Sequence, residues 1–506
     1  MSEIDFNLVG NPVIKTIIRE QAKFPEDFKQ NICEDDEMYL FALSNVKDDR
    51  DRALVRYYSL GRRILDTVKQ VVAWHFGSFD KVPSFLDFAC GYGRFTRFLI
   101  QEIEPERIWV SDIYANAVKF QTEYFGVNGI VSTGKPENYL IERKFDCILA
   151  NSFFSHMPEK TFTSWLQNLY DLLTPQGILM FSVHDECLRA AHVEMPANGI
   201  LFSPLSESQS LDKEEYGTTY VTQKFVRDKV AQVSGGKAFV HRIEKGICRF
   251  QDLYLVTNEV ARDFSELKFK HHPEGYIDVA AFTNNENLYL EGWATDLNVG
   301  GKIEEVQVLV NGQLVQRCEP FYDRPDVAGH FENEIALQSG WNCFLPKNSV
   351  GAQDVLTVKA INNFGWEWIV ENCTVESLLG ERESQYLLGS TQTKLKLIET
   401  KLAEAQTKLE LSENKLMIAD SKLEESQNKL QETQNQLIST QSQLEQTQNQ
   451  LISAQMQLEQ TQNQLSDVKQ ELNKSQIRVL AMESSKFWKI RSAWFQVRRS
   501  LGLAGE

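Results

Sequence analysis

The stretch from Phe85 to Phe95 (FLDFACGYGRF) constrains the fold of this chain more than any other. Its first four residues are apolar apart from Asp87, so the pattern predicts a short buried strand. Ala89, Gly91 and Gly93 then predict a tight turn, because glycine adopts positive φ angles and lets a ligand approach the backbone. A helix is predicted directly after the turn. Free backbone N–H groups and the positive helix end are expected to point at that ligand.

A second acid, Asp112, closes the apolar run Ile108–Asp112 (IWVSD). In an open parallel sheet, this position at the carboxyl end of a strand is where a ribose diol would be held. The NAD fingerprint G-x-G-x-x-G fits less well, since Thr96 stands where its third glycine should be. The two acids and the turn therefore predict that this edge of the sheet binds a nucleoside, but not in the manner of the NAD-binding fingerprint.

At these residues the chain resembles the class I S-adenosylmethionine (SAM) methyltransferases, whose first motif is an acid, a glycine-rich turn and a helix, followed by a second acid. Asp87, Gly91, Gly93 and Asp112 match this pattern, and Ala89 replaces the first turn glycine of the family. The resemblance implies that the turn approaches the methionine part of SAM, with Asp87 beneath it. It also implies that Asp112 accepts hydrogen bonds from the ribose hydroxyls.

Four more site residues follow from the same resemblance. Ile113 is expected to press on the adenine ring, and Asn151 belongs to the cofactor-binding set. His156 lies in NSFFSHMP, which is similar to a Ser-x-x-x-His-Leu/Met-Pro segment of the family, and His184 ends the predicted fifth strand. Imidazole suits general-base catalysis, so both histidines are catalytic candidates. The alternative for His156 is structural, with its ring pinning a loop by a hydrogen bond.

The composition restricts the class of protein. The chain has 506 residues and a formal net charge of −17, which argues against general nucleic-acid binding. We find no cleavable signal and no apolar run long enough to cross a bilayer. The eight cysteines are scattered without a C-x-x-C pair, which predicts reduced thiols in a cytoplasm and no metal site.

Residues 51–258 are predicted to form the SAM-methyltransferase domain, after an N-terminal extension at 1–50 of unassigned role. Strand and helix patterns alternate, which predicts a doubly wound α/β sheet of the Rossmann type. The predicted helices are Asp51–Phe76, Arg94–Ile103, Ala115–Phe125, Lys160–Leu173 and Lys224–Val233. The predicted strands are Phe85–Phe88, Ile108–Ser111, Ile130–Ser132, Phe145–Ala150, Gly177–Val183, Ala238–Ile243 and Asp252–Val256, the last two as an antiparallel hairpin.

After a linker at 259–274, residues 275–375 lose helical periodicity. Short β-rich runs recur, and Asn311-Gly312 between two of them is a strong hairpin signal, which predicts a small all-β sandwich. The sequence of this region resembles small β-sandwich modules attached to bacterial glycan-synthesis proteins.

A long heptad repeat occupies the predicted coiled coil at 390–480. Leucine recurs at every seventh position from Leu395 to Leu472, with small residues at most of the intervening core positions. Lys408 with Glu413, and Lys415 with Asp420, have the offset of a parallel homodimer, so a homo-oligomer is predicted. The alternative is a glutamine-rich disordered segment, because polar core positions weaken the seam.

Residues 484–503 are predicted to form a basic amphipathic helix. An apolar stripe and several Lys and Arg residues fit a helix at a membrane interface. Docking onto a partner protein or onto this chain is the alternative. We therefore expect a cytoplasmic protein that is peripheral at the inner membrane face.

Two functional hypotheses follow. The first is a SAM-dependent methyltransferase that acts on a sugar hydroxyl of a polysaccharide or its lipid-linked precursor. The second is a non-catalytic scaffold of a membrane-associated glycan-synthesis complex, in which the coil and the basic helix provide the function.

Overall fold

The computed structural model describes residues 10–46, 49–190, 192–204, 213–258, 264–283, 287–318, 321–382, 406, 439–443, 445–457 and 494. They belong to two compact units, one formed by Met1–Leu379 with Gln476–Glu506 and the other by Gly380–Ser475. All helices and strands labelled below lie in the first unit.

A mixed sheet of nine strands forms the centre of this unit, within the described residues. Its strands are β1 (Phe85–Phe88), β2 (Ile108–Asp112), β3 (Asn128–Val131), β4 (Phe145–Ala150), β5 (Leu173–Asp185), β6 (Ile200–Ser203), β7 (Thr218–Val221), β8 (Phe239–Ile247) and β9 (Gln251–Thr257). The first five run parallel in the order β3-β2-β1-β4-β5. β9 pairs antiparallel with β5, and β8 with β9. The doubly wound α/β prediction and its antiparallel hairpin are confirmed.

A short branch at the carboxyl end of β5 was not predicted. There β7 pairs parallel with the last two residues of β5, and β6 pairs antiparallel with β7. The central strands are apolar because a parallel sheet is covered on both faces. All residues of β1 and β9 are buried, whereas β3 at the edge alternates half-buried and exposed residues.

Seven helices accompany this sheet in the described residues: α1 (Pro12–Gln21), α2 (Glu37–Ser44), α3 (Arg50–His75), α4 (Thr96–Leu99), α5 (Ala115–Phe125), α6 (Glu159–Asp171) and α7 (Gln223–Ser234). Four of them agree with the sequence prediction to within two residues. The predicted helix Arg94–Ile103 is wrong in length, because only the four residues of α4 are α-helical. The amides of Leu99, Ile100 and Ile103 bond to carbonyls four residues back, but those of Phe98, Gln101 and Glu102 bond three residues back. The segment therefore mixes α-helical and tighter 3₁₀ turns.

Gly61 explains how α3 lies against the turn segment. A Cβ atom at this position would be 2.2 Å from the carbonyl oxygen of Arg94 and 2.8 Å from the ring of Phe98. Any side chain would therefore push α3 away from the segment that follows β1. The cost of a glycine inside a helix is offset here by close packing.

The N-terminal extension belongs to the same hydrophobic core. Asp36 caps α2 by accepting hydrogen bonds from the amides of Met38 (3.0 Å) and Tyr39 (3.1 Å). Its second oxygen accepts from the Tyr57 hydroxyl of α3 at 2.6 Å. Burial raises the pKa of Tyr57 well above its usual value, so this hydroxyl keeps its proton and remains a donor.

The β-rich region contains two antiparallel sheets around one apolar core. Their strands are β10 (Glu274–Phe282), β11 (Asn287–Thr295) and β14 (Gly340–Pro346) in one sheet, and β12 (Ile303–Val310), β13 (Gln313–Cys318), β15 (Val355–Asn362) and β16 (Glu367–Thr374) in the other; the helix α8 (Pro325–Phe331) precedes β14. Asn311 and Gly312 join β12 to β13 with φ angles of 51° and 77°, as the hairpin prediction requires.

Of the predicted coiled coil, only residues 406, 439–443 and 445–457 are described, and all of them are helical. The other heptad positions lie outside the described residues, so the coiled coil and its oligomeric state stay predictions. The basic stretch at 484–503 also lies outside them, except for Trp494. Within the described residues, no helix has both the length and the apolar character needed to cross a membrane.

Candidate active site

The turn after β1 adopts the backbone that its sequence predicts. Ala89, Gly91 and Gly93 have φ angles of 60°, 52° and 82°. A Cβ atom on Gly93 would lie 2.3 Å from the ring of Phe125, so the position excludes every other residue. Ala89 holds a left-handed conformation that costs a residue with a side chain about 1–2 kcal/mol. The strain is local to the edge where a ligand is expected.

The two predicted acids lie on neighbouring strands at this edge. Asp87 pairs with Val110, two residues before Asp112, which puts the Cα atoms of the two acids about 8 Å apart by strand geometry. Both carboxylates are fully buried. Thr96 donates a hydrogen bond from its hydroxyl to Asp87 Oδ2 at 3.0 Å.

Asp112 holds the turn in place. Its Oδ2 accepts from the amide of Gly91 at 2.8 Å, and its Oδ1 accepts from the amide of Tyr114 at 2.9 Å. One residue of β2 therefore holds both the turn and the segment that follows β2.

The prediction of free turn amides is wrong. The amides of Ala89 and Cys90 both donate to the carbonyl of Ser111, at 2.8 and 3.3 Å. The amide of Gly93 donates to the Cys90 carbonyl at 3.4 Å, and that of Gly91 is held by Asp112. These hydrogen bonds fasten the turn to β2. Recognition of a ligand at this edge consequently depends on the carboxylates and the shape of the turn.

A cavity of about 520 Å³ lies beside the end of β2, a volume that suits a small ligand. Ile113 forms part of its wall, together with Tyr92, Tyr114, Asp35 and Glu37. The two acids come from the N-terminal extension, and the sequence analysis assigned them no role. The acidic run Glu34–Glu37 was the available signal, but nothing in the sequence indicated that it lies next to β2.

Asn151 and Ser182 form a buried polar group at the ends of β4 and β5. Ser182 Oγ donates to Asn151 Oδ1 at 3.3 Å and accepts from the amide of Ser152 at 2.6 Å. Within the part of the chain that the structure describes, Asn151 Nδ2 has no hydrogen-bond partner although the residue is fully buried. A buried donor without a partner is costly, which makes it a natural contact for a bound molecule. Ser152, with φ of 59°, bends the chain here.

The two candidate histidines lie close together, with ring centroids 5.9 Å apart. His156 is buried, its Nδ1 is 2.6 Å from the carbonyl oxygen of Gly217, and its ring stacks on Tyr216. His156 thus ties down the segment before β7, which is the structural alternative named above. His184 is half-buried, and its ring contacts Tyr220 and Phe250.

An ion-pair network lies next to His184 and was missed by the sequence analysis. Arg242 of β8 bonds Asp185 at 3.0 Å and Asp252 at 2.5 Å. Burial raises the pKa of Asp252, although Arg242 and the amide of Lys245 oppose the change. The network fixes the end of β5 against the β8–β9 hairpin and so positions the histidine.

Residues 86–179 match the family model described as a methyltransferase domain. The match runs from β1 into β5 and contains the turn, Asp112, Asn151 and His156. Residues 86–179 are a methyltransferase domain. The doubly wound sheet around it is the one that the resemblance to the class I methyltransferases implies, and SAM is the methyl donor expected for such a domain.

A curated relative, a malonyl-(acyl-carrier protein) O-methyltransferase of Calditerrivibrio nitroreducens, is 30% identical over 127 residues, which is 25% of this chain. The chain spans 46% of the length of that relative. Among solved structures, a SAM-dependent methyltransferase from Clostridium acetobutylicum is similar at 15% identity, over 44% of this chain and 98% of that chain, with a TM-score of 0.29. The Burkholderia thailandensis 1,6-didemethyltoxoflavin-N1-methyltransferase is similar at 16% identity, over 45% and 91% of the two chains, with a TM-score of 0.27.

The residues of the methyltransferase domain fit SAM in chemical type. SAM carries a ribose diol, whose hydroxyls donate hydrogen bonds, and the carboxylate of Asp112 at this edge is an acceptor of the matching type. Its sulfonium and ammonium groups are cationic and suit the buried carboxylate of Asp87. Its adenine is flat and apolar on both faces, which suits the aliphatic and aromatic wall at Ile113 and Tyr92.

Proposed function

We propose that the protein is a SAM-dependent O-methyltransferase that acts on a hydroxyl group of a glycan or of a lipid-linked sugar. The observation that supports this proposal most is that the turn with Asp112 and the polar residues at the ends of β4 and β5 lie at the same edge of the sheet. The turn follows β1 and is held by Asp112, the last residue of β2. Asn151 follows β4, and Ser182 and His184 lie near the end of β5. A donor site and an acceptor site at this edge would adjoin each other.

On the donor side, Asp112 accepts from the ribose hydroxyls, Ile113 packs on the adenine, and Asp87 orients the methionine part. Bound SAM supplies an electrophilic methyl group together with its own leaving group. The main task of the protein is therefore to hold the methyl group in line with the acceptor hydroxyl, and this alignment lowers the barrier of the reaction.

On the acceptor side, His184 takes the proton of the attacking hydroxyl. Imidazole is suited to this task near neutral pH, and general-base catalysis contributes about 10²–10⁴ in rate. His156 holds Tyr216 and the segment before β7, so its effect is on the shape of the acceptor site.

Two features support a sugar as the acceptor. The rings of Tyr220 and Phe250, which are half-buried beside His184, offer apolar surface of the kind on which sugar rings pack. The sequence of residues 275–375 resembles small β-sandwich modules attached to bacterial glycan-synthesis proteins. The curated relative is named for a malonyl carrier protein, so an acyl acceptor belongs in the same screen.

The second candidate function is a non-catalytic scaffold. The burial of Trp494 between the two histidines favours it, because this indole occupies space that an acceptor needs. In both proposals the heptad repeat makes the protein oligomeric in the cytoplasm, and residues 486–503 contact a membrane surface, a partner protein or, through Trp494, this chain's own domain.

Transfer of radiolabelled methyl groups from SAM tests the proposal. The full chain is incubated with lipid-linked sugars, free oligosaccharides and malonyl-carrier protein, and label in each acceptor is counted. We expect label in a sugar acceptor, a loss of about 10²-fold or more in His184→Gln, and no change in the exposed control His192→Gln. Label only in the carrier protein would show that the acceptor is an acyl group and not a sugar. If the chain binds SAM but labels none of the acceptors, the non-catalytic scaffold becomes the favoured function.

A further inference from the structure

Trp494 is buried in the methyltransferase unit although it lies far along the chain. Its side chain is 1% exposed. The indole Nε1 donates a hydrogen bond to Ser182 Oγ at 2.5 Å, across 312 positions of sequence. Ser182 is the same residue that bonds Asn151 and the amide of Ser152.

The indole ring also contacts both candidate histidines. Its centroid is 5.5 Å from the ring of His156 and 6.0 Å from the ring of His184. Trp494 thus lies against the carboxyl ends of β4 and β5, on the side where Asn151 and His184 are found. A hydroxyl acceptor that used His184 as its base would need the same space.

We propose that Trp494 occupies the acceptor pocket of the methyltransferase domain, so that the acceptor and this indole compete for one site. The inference rests on the proposed function, since it assumes that His184 faces the acceptor. It also defines the acceptor further. The pocket accepts a ring with a polar hydrogen at its edge that is donated to Ser182, and a sugar ring with a hydroxyl substituent provides a ring and a donor as well.

Competition from within the chain is effective because the competitor is tethered. A tethered group acts at an effective concentration that the length and stiffness of its linker set, so even a weak contact can suppress a dilute acceptor. The apparent affinity for the acceptor falls in proportion to the fraction of molecules in which the pocket is open. Removal of the indole is therefore expected to open the pocket and to leave the donor turn in place, because Asp112 holds that turn.

Chemical modification of histidines by diethyl pyrocarbonate tests the inference without knowledge of the acceptor. The full-length wild type, Trp494→Ala, Trp494→Phe and Trp366→Ala are treated, and modification at each histidine is followed by peptide mass spectrometry. We expect modification of His156 and His184 to be about tenfold faster in Trp494→Ala. Trp494→Phe, which keeps a ring, should stay near the wild-type rate.

Three controls make the result specific. His330 is exposed and serves as the internal reference for the reagent. Trp366→Ala removes a half-buried indole from the β-rich region and should leave both pocket histidines unchanged. Equal rates at His156 and His184 in the wild type and in Trp494→Ala would overturn the inference.

Calorimetric titration with SAM separates this inference from the proposed function. Trp494→Ala should bind SAM with the affinity of the wild type, because the donor turn is intact. If neither protein binds SAM, the proposed function fails, while the protection of the histidines by Trp494 is still measured. If only Trp494→Ala loses SAM binding, its fold is disturbed, and Trp494→Phe is used instead. Histidine modification in Trp494→Phe as fast as in Trp494→Ala would also overturn the inference.

Discussion

The proposed donor half and the proposed acceptor half of this site are built in different ways. The donor half, residues 85–93 and 108–114, is a backbone turn fastened by amide-to-carboxylate hydrogen bonds of 2.8 and 2.9 Å. The proposed acceptor half combines side chains from 152–156, 182–184 and 216–220 with Trp494, and its contacts are mostly ring to ring; the cofactor-binding candidate Asn151 adjoins it through Ser182. The donor half is thus specified by local sequence, whereas the acceptor half depends on the tertiary fold.

This difference has an energetic consequence. A backbone turn with positive φ angles tolerates few side chains, so single changes in the donor half should be severe. Ring contacts tolerate rearrangement, so changes in the acceptor half should cost less stability and act mainly on substrate binding. The predictions below test this contrast, beginning with the largest expected effect.

Gly93→Ala should be the most damaging small change. The new Cβ atom would lie 2.3 Å from Phe125 at a φ of 82°, which adds overpacking to left-handed strain and should cost about 3 kcal/mol of unfolding free energy. Gly126→Ala is the matched control, since its φ is 76° but the nearest atom is 4.0 Å away. It should cost about 1 kcal/mol. Urea denaturation of both variants measures the difference, and equal costs would contradict the steric role of the turn.

Ser182→Ala tests the acceptor half. The change removes the acceptor for the buried amide of Ser152 and for the Trp494 indole, and should destabilise the fold by about 2 kcal/mol. Affinity for SAM should change little, because the turn is untouched. Ser44→Ala, at an exposed hydroxyl, should stay within about 0.5 kcal/mol of the wild type. A large loss of SAM affinity in Ser182→Ala would show that the two halves are not separable.

His271 provides a smaller test from outside both halves. Burial, with nearby Arg249, lowers its pKa to about 3, so between that value and its ordinary 6.5 the unfolded chain binds the extra proton. The contribution of His271 to stability is full above pH 6.5 and is lost as the pH falls, up to about 2 kcal/mol at pH 5. His271→Gln should flatten this dependence in denaturation at pH 8 and pH 5, and His330→Gln should not. An unchanged slope in His271→Gln would place the effect in other groups.

The sequence predicted the parallel sheet, the turn and the last hairpin because these depend on local patterns. Apolar runs of four to six residues between helical stripes require a covered sheet, and paired glycines require a turn. The length of α4 was overpredicted because an apolar stripe does not distinguish four-residue from three-residue hydrogen bonding. The free turn amides were wrongly expected because the carbonyl of Ser111, which accepts two of them, belongs to another strand.

Contacts between distant segments were beyond the sequence. Asp35 and Glu37 reach the wall of the cavity beside Ile113 only because α2 packs on α3. For residues 486–503, membrane binding and docking were equally open from the pattern alone. The burial of Trp494 favours docking onto the chain's own domain, and liposome flotation of the full chain measures the alternative.

Titration calorimetry of the full chain with SAM tests the central claim most directly. The donor half predicts one SAM bound per chain, and a loss of about 100-fold in affinity for Asp112→Ala, because both the ribose acceptors and the anchor of the turn disappear. Glu142→Gln, at an exposed carboxylate, should bind as the wild type does. No binding heat with the wild type, or equal affinity in Asp112→Ala, would contradict the assignment of this edge as a SAM site.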